Sequence, residues 1–212
     1  MVRKIVEKVP DDVLKHDLEK YRQRALELGA TDAKIITTDM IVIDEKVRAK
    51  CIWPRCTEYG TSVNCPPYTM DVDQTKKIVN NFRYAIFTKM HLPPKALVGP
   101  ESDSKMLRVR SEMKEYKIIS EIEAEAFYDG YYLALGFAAG SCKIMCPNTE
   151  CSALIPGQAC RHHYKSRPSM EGVGMDVFLM ATKVGWDIYP IGISTLPSEA
   201  PHALLLGLVL IY

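Results

Sequence analysis

The sequence predicts an α/β or α+β fold. One compact domain spans residues 1–212, with a mixed sheet, flanking helices and two cysteine-rich metal-binding loops at 48–67 and 140–177. Three observations carry that expectation. Helical and extended patterns alternate along the chain, as in domains that pack helices on a sheet. At 212 residues and 47% hydrophobic, the chain can bury one sizeable core. All seven cysteines fall into two clusters between the patterned segments, in connections of the kind that carry function.

Asp11–Leu28 has the spacing of an amphipathic helix, since Val13, Leu14, Leu18, Tyr21, Ala25 and Leu28 recur at three- and four-residue steps, with Gly29 as its stop. Ala33–Thr37 and Met40–Asp44 are rich in β-branched residues and predict strands. Asp71–Asn81 predicts a helix, Tyr84–Met90 a strand, and the three prolines of Leu92–Pro100 a loop. The longest helical pattern runs from Ser102 to about Leu135. Met106, Val109, Met113, Tyr116, Ile119, Ile122 and Ala126 form one stripe for a core or a subunit interface, and Gly130 is a candidate interruption. A short strand at Phe137–Gly140, a helix at Met175–Val184 and a buried strand at Ala203–Tyr212 complete the pattern.

A formal charge of +1 and the lack of a long basic tract argue against nucleic acid as a partner. The N-terminus has a basic start but no apolar stretch of the secretory type. The most apolar segments, Tyr131–Gly140 and Ala203–Tyr212, are each about half the length of a membrane span. A soluble cytoplasmic protein is the expectation. In that compartment cysteines stay reduced, and seven is an odd number, so a disulfide framework is disfavoured.

Cys51, Cys56 and Cys65 are separated by four and then eight residues; Cys146, Cys151 and Cys160 repeat that spacing, and Cys142 precedes the second set. Proline follows at Cys65-Pro66-Pro67 and Cys146-Pro147, stiffening the backbone beside each thiol. Thiolates in such register suit a soft metal. Structural zinc favours cysteine pairs with two to four intervening residues, which the eight-residue gaps do not match. A 4Fe–4S cluster tolerates wider spacing with proline beside a ligand. Cys142, Cys146, Cys151 and Cys160 supply four thiolates in 19 residues, enough for one such cluster. The first group supplies three, leaving one iron open, unless Cys142 belongs to that group instead. One or two 4Fe–4S clusters are the leading expectation, with zinc and a single mixed site as alternatives.

Cations flank both groups: Arg48, Lys50 and Arg55 at the first; Lys143, Arg161, His162, His163, Lys165 and Arg167 at the second. Lys50, Arg55, Arg161, His162 and Arg167 are candidates to surround a cluster, where positive charge raises its potential, although a solvated basic loop accounts for any one of them. His162 and His163 are weaker candidates as ligands, and His16, His91 and His202 read as structural. Ser169 is a candidate helix start with Glu171 in its first turn. Glu171 and Asp176 are candidate acid–base groups, with loop capping the simpler role. No phosphate-binding loop, dinucleotide fingerprint or nucleophile elbow occurs.

Lys50-Cys51 through Cys56-Thr57-Glu58-Tyr59-Gly60 to Asn64-Cys65-Pro66-Pro67 resembles one block of an uncharacterised prokaryotic family labelled only "predicted metal-binding protein". Ala139-Gly140-Ser141-Cys142 and Cys160-Arg161-His162, continuing through Arg167-Pro168-Ser169-Met170-Glu171 to Gly174-Met175-Asp176-Val177, resemble its second block. With the order of elements between them, the similarity covers most of the chain. It implies metal binding through these cysteines, most plausibly as oxygen-sensitive clusters, in a family frequent among anaerobes and carrying no assigned reaction. His163 stands where the family pattern has proline, and the three-residue gap between Cys142 and Cys146 departs from the commoner two. Both departures bear on the fourth ligand.

Three functions compete. The first is a redox protein passing single electrons to a partner protein or larger enzyme complex in anaerobic metabolism. The second is an enzyme using an open iron at the three-cysteine group on a small anionic substrate, with Arg48, Lys50 and Arg55 steering the anion. The third is a zinc-stapled scaffold or maturation protein, its metal supplying folding free energy of order 10 kcal/mol. A homo-oligomer is compatible with each.

Overall fold

Alternation of apolar side chains along two long strands sets how the layers stack. The computed structural model describes residues 2–98, 101–192 and 194–212. Strands β1 (Asp32–Thr37), β2 (Tyr84–Leu92), β3 (Leu135–Phe137) and β4 (Ala203–Leu210) form one sheet in the order β1-β2-β4-β3. Five helices accompany it among the described residues: α1 (Asp11–Glu27), α2 (Glu45–Ile52), α3 (Val72–Val79), α4 (Glu101–Tyr128) and α5 (Val177–Lys183). The domain is α+β.

On β2, Ile86, Met90 and Leu92 face one core while Ala85 and Phe87 face the other. On β4, Leu205 and Val209 point to the first, and Leu206, Leu208 and Leu210 to the second. The first core is filled by Leu14, Leu18, Tyr21 and Ala25 of α1 and by Ile118, Ile119, Ile122 and Ala126 of α4. The second takes Val177, Met180 and Ala181 of α5 with Met170, Val173, Met175 and Trp186. Both central strands are therefore buried on two faces, which is why β4 reads as a nearly continuous apolar run.

Local chemistry places the helix ends. Asp71 caps α3 in a reciprocal capping box with Gln74. Asp44 caps α2 by accepting from the Lys46 amide at 2.8 Å, and Asp176 caps α5 by accepting from the Leu179 amide at 2.9 Å. Asp176 thus serves as a cap. Ser169 accepts from the Gly172 amide at 3.0 Å and starts only a 3₁₀ turn at Glu171–Val173.

Several expectations are corrected. Met40–Asp44 is no strand: a 3₁₀ turn occupies Thr38–Met40, and Ile43 makes one isolated bridge to Met175 because no sheet edge lies beside it. The sheet is not mixed, since all three ladders are antiparallel and the one parallel pairing, Ala138 with Ser169, is an isolated bridge. Apolar periodicity does not encode strand direction. The 48–67 segment is not all loop, because α2 carries Cys51 in its last turn. The helix expected to run to about Leu135 ends at Tyr128. On α4, Met106 and Met113 face solvent, at 58% and 37% exposed, while Glu112 and Glu115 are buried at 2% and 1%. Gly99 and Pro100, in the loop expected at Leu92–Pro100, lie outside the described residues.

Glu115 lies over the centre of the sheet. A Cβ on Gly207 would stand 2.2 Å from its Oε1, so glycine there lets α4 approach β4. Its Oε2 accepts from the Ala139 amide at 3.0 Å; its Oε1 has no partner. Burial pushes this carboxyl well above its ordinary range, with Glu171 and Glu112 nearby adding to the effect. The folded chain then holds a proton that the unfolded chain releases above about pH 4.3. Stability is highest below that pH and falls as pH rises toward the folded value. Glu115→Gln cannot ionise, so its urea midpoint should decline less between pH 5 and 8 than the parent's. An unchanged slope would show that the group stays solvated.

Candidate metal centre

The two cysteine groups are built by different local structure. Cys51 ends α2, and the chain then winds back through tight turns: the Cys56 amide donates to the Cys51 carbonyl at 3.1 Å, the Tyr59 amide to Cys56 at 3.1 Å, and the Cys65 amide to Ser62 at 3.1 Å. Cys142 opens a 3₁₀ turn over Cys142–Met145, capped by Ser141, and Cys151 precedes another at Ser152–Leu154. The Ser152 hydroxyl ties this segment to the next, donating to the Ala159 carbonyl at 2.8 Å and accepting from the Arg161 amide at 3.2 Å.

These turns direct the thiols into two spaces. Cys142, Cys146, Cys151 and Cys160 all line one small enclosed cavity with Ser62, His162 and Ser166, its open centre about 10 Å³, little more than a water-sized sphere. Cys51, Cys56 and Cys65 line a wider cleft of about 680 Å³, bounded by the start of α4, Gly140–Ser141 and the turn at Ser169–Gly172. All seven are free thiols, with Cys65 and Cys142 buried and Cys56 exposed. Among the described residues no three His, Cys, Asp or Glu side chains converge closely enough to hold one metal ion.

Cys142 and Cys65 stand at the wall between the two spaces. Asn64 Nδ2 donates to the Cys142 sulfur at 3.5 Å, and the Cys65 sulfur lies 3.4 Å from the Ser141 hydroxyl. Burial raises the Cys142 thiol, with Ser62 and Asn64 opposing. Burial also raises Cys51, reinforced by Cys56 and Cys65. Without a bound cation both therefore hold their protons more tightly than a free thiol, so metal binding here releases protons and weakens with acidity.

Two unpartnered hydroxyls adjoin Cys142. Tyr116, 1% exposed, packs with Ala138 and Cys142, and its Oη has no partner. The Ser62 hydroxyl lies close to the Cys142 sulfur but outside hydrogen-bond geometry. Orphaned buried hydroxyls are uncommon. Here both are donors that a thiolate-held anionic group would satisfy. By donor type the four thiols and these hydroxyls fit such a group; the space between them is smaller than a cluster core, so holding a cluster requires the turns to spread.

The flanking cations are placed differently. Arg161 donates to the Glu150 carbonyl at 2.8 Å and His162 presents its amide to the Cys160 sulfur at 3.4 Å, both close to the enclosed cavity. His163 faces outward, its ring 3.9 Å from Tyr164. Arg167 grips Glu123 of α4 through two bonds of 2.7 Å, tying the segment after Cys160 to the core. Arg48 donates to the Gly172 carbonyl at 3.1 Å, Lys50 is exposed, and Arg55 lies over the Tyr59 ring at 4.7 Å. None of these three lines the cleft; Lys105, Arg108 and Lys143 do.

Sequence reasoning missed Glu112, which also lines the cleft and accepts from Arg108 Nε at 2.7 Å. The signal was present: Glu112 falls between Val109 and Tyr116 on the stripe assigned to the core. Glu171 lines the cleft as well, and burial raises both carboxyls.

Fold and site together define a small α+β domain that gathers seven thiols around two adjoining spaces. Residues 34–211 match the family described as Predicted metal-binding protein (DUF2284), and the chain belongs to that family. No curated protein and no solved structure matches it. Among the described residues no helix is long and apolar enough to cross a membrane.

Proposed function

We propose that the chain is a cytoplasmic iron–sulfur protein whose four-thiol cavity holds a 4Fe–4S cluster and serves electron transfer or an accessory role beside a partner enzyme. The observation that carries this reading is the shared cavity of Cys142, Cys146, Cys151 and Cys160. A single zinc ion needs sulfurs on a shell about 2.3 Å from its centre. The eight-residue gaps are wider than zinc pairs use, and a cubane with iron at alternate corners spreads its ligands more widely. Such a group supplies one-electron chemistry when bound.

The surrounding residues have defined tasks. Cys142 is buried and Cys146, Cys151 and Cys160 are half-buried, and the Asn64 amide, the His162 backbone amide and the Tyr116 and Ser62 hydroxyls are donors that stabilise negative charge there. The three-thiol cleft favours a second reading for that group alone, as a site with one open metal position facing solvent. Anaerobically purified protein should contain about four iron and four acid-labile sulfide per four-thiol site and show a paramagnetic signal on one-electron reduction. A colourless protein with stoichiometric zinc and no sulfide would rule the cluster out.

A further inference from the structure

The cleft beside Cys51, Cys56 and Cys65 has the dimensions and polarity of a small-molecule site. Its volume of about 680 Å³ lies within the range of roughly 300–1,000 Å³ typical of ligand pockets. Its charges are sorted by depth. Glu112 is interior, its side chain 3% exposed, whereas the Arg108 side chain that pairs with it is 55% exposed. Lys105, one turn earlier on α4, is exposed on the same rim. Lys143 is engaged with the Thr149 carbonyl, which leaves Arg108 and Lys105 to meet an anion. Arg108 commits Nε to Glu112, and its planar fork keeps an outer edge suited to a carboxylate.

Three carboxyls line the cleft: Glu58, whose Oε2 accepts from the Thr61 hydroxyl at 3.0 Å, and Glu112 and Glu171, which burial holds protonated more firmly. Gly140 makes their wall: at φ +68° it adopts a left-handed turn, and a Cβ there would meet the Glu112 carboxyl at 3.0 Å. A carboxyl accepts when ionised and also donates when protonated. A hydroxyl, which does both, matches it in either state.

We propose that this cleft binds a small hydroxy-carboxylate, its carboxylate at Arg108 and Lys105 and its hydroxyl directed inward to Glu112 and Glu171. The proposal shares the cleft with the second reading above but does not depend on which metal the thiols hold.

Isothermal titration of the full chain, prepared anaerobically, tests it with matched probes: glycolate against acetate, malate against succinate, citrate against tricarballylate. At least one hydroxy acid should bind with Kd of about 1 mM or tighter, and its deoxy counterpart about tenfold more weakly. Arg108→Gln should weaken that binding by about tenfold. Lys105→Gln, at an exposed position, should weaken it with unchanged circular dichroism. Binding by no hydroxy acid, equal binding within every pair, or indifference to both substitutions would overturn the proposal. Iron and sulfide assays on the same samples separate the two readings. Iron-loaded protein that ignores all six probes removes this one alone, and iron-free protein that binds hydroxy acids removes the cluster alone.

Discussion

If the enclosed cavity holds the proposed cluster, Cys160→Ser should lose its metal, whereas Cys56→Ser should leave that metal in place. Cys160 is held by its surroundings: its sulfur lies 3.3 Å from the Ser166 hydroxyl and 3.4 Å from the His162 amide, and it shares the cavity with three further thiols. A serine oxygen is a harder and weaker ligand for iron than thiolate. The turns from Cys142 to Cys160 contain no strand and no α-helix, so a group bound to four of their side chains would be their main cross-link. Structural metal sites of this kind contribute of order 10 kcal/mol to folding. Iron per chain should therefore fall by the share of the enclosed site, with a lower melting temperature. Cys56 is exposed on the open cleft, and its replacement should remove only what the three-thiol group holds. Iron and sulfide analysis of both variants, with thermal melts, reads the difference. Loss of all iron from each variant alone would mean one shared site across the Cys65–Cys142 wall.

Asp17→Ala is expected to destabilise the fold and to release its N-terminal segment. Asp17 is completely buried, accepting from Arg3 through both oxygens and from the Tyr131 hydroxyl at 2.8 Å. Removing it leaves the Tyr131 hydroxyl without its acceptor and Arg3, whose side chain is 39% exposed, without its partner, a loss of about 1–3 kcal/mol. For a chain of this length that is a melting shift on the order of 5 °C. Burial alone would raise this carboxyl, but the bonds from Arg3 and Tyr131 outweigh it and hold it below the usual range. The folded value is depressed, so the stabilisation is complete above about pH 3.9 and is lost as pH falls through the folded value. The variant should lack that acid-sensitive component. Arg3 also donates its backbone amide to the Tyr128 carbonyl at 2.8 Å, so the pair pins the N-terminal segment across α1 and the end of α4. Proteolysis near residues 3–9 should accelerate in Asp17→Ala, and an unaltered melt would show the pair to be dispensable.

Residues whose signal is local were legible in the sequence. Leu14, Leu18, Tyr21 and Ala25 form the buried face of α1 as their spacing requires, and the β-branched run before Thr38 is β1. Met40–Asp44 carries the same strand chemistry but forms only one isolated bridge, Ile43 with Met175, because a strand requires a partner and the partner is a tertiary fact. Glu112 and Glu115 went unread in the sequence and are buried, against Gly140 and Gly207 that are distant in sequence. The cysteine spacing identified the donors, yet it could not reveal that four thiols face a closed cavity and three an open cleft. That division comes from α4 and the Ser169–Gly172 turn bounding one space and not the other.

The place of β4 inside the sheet, between β2 and β3, has a consequence for biosynthesis. Translation reaches Cys160 some 50 residues before Leu210, roughly 3–10 s at typical elongation rates. Every thiol is thus in the chain before the strand that joins the two cores exists.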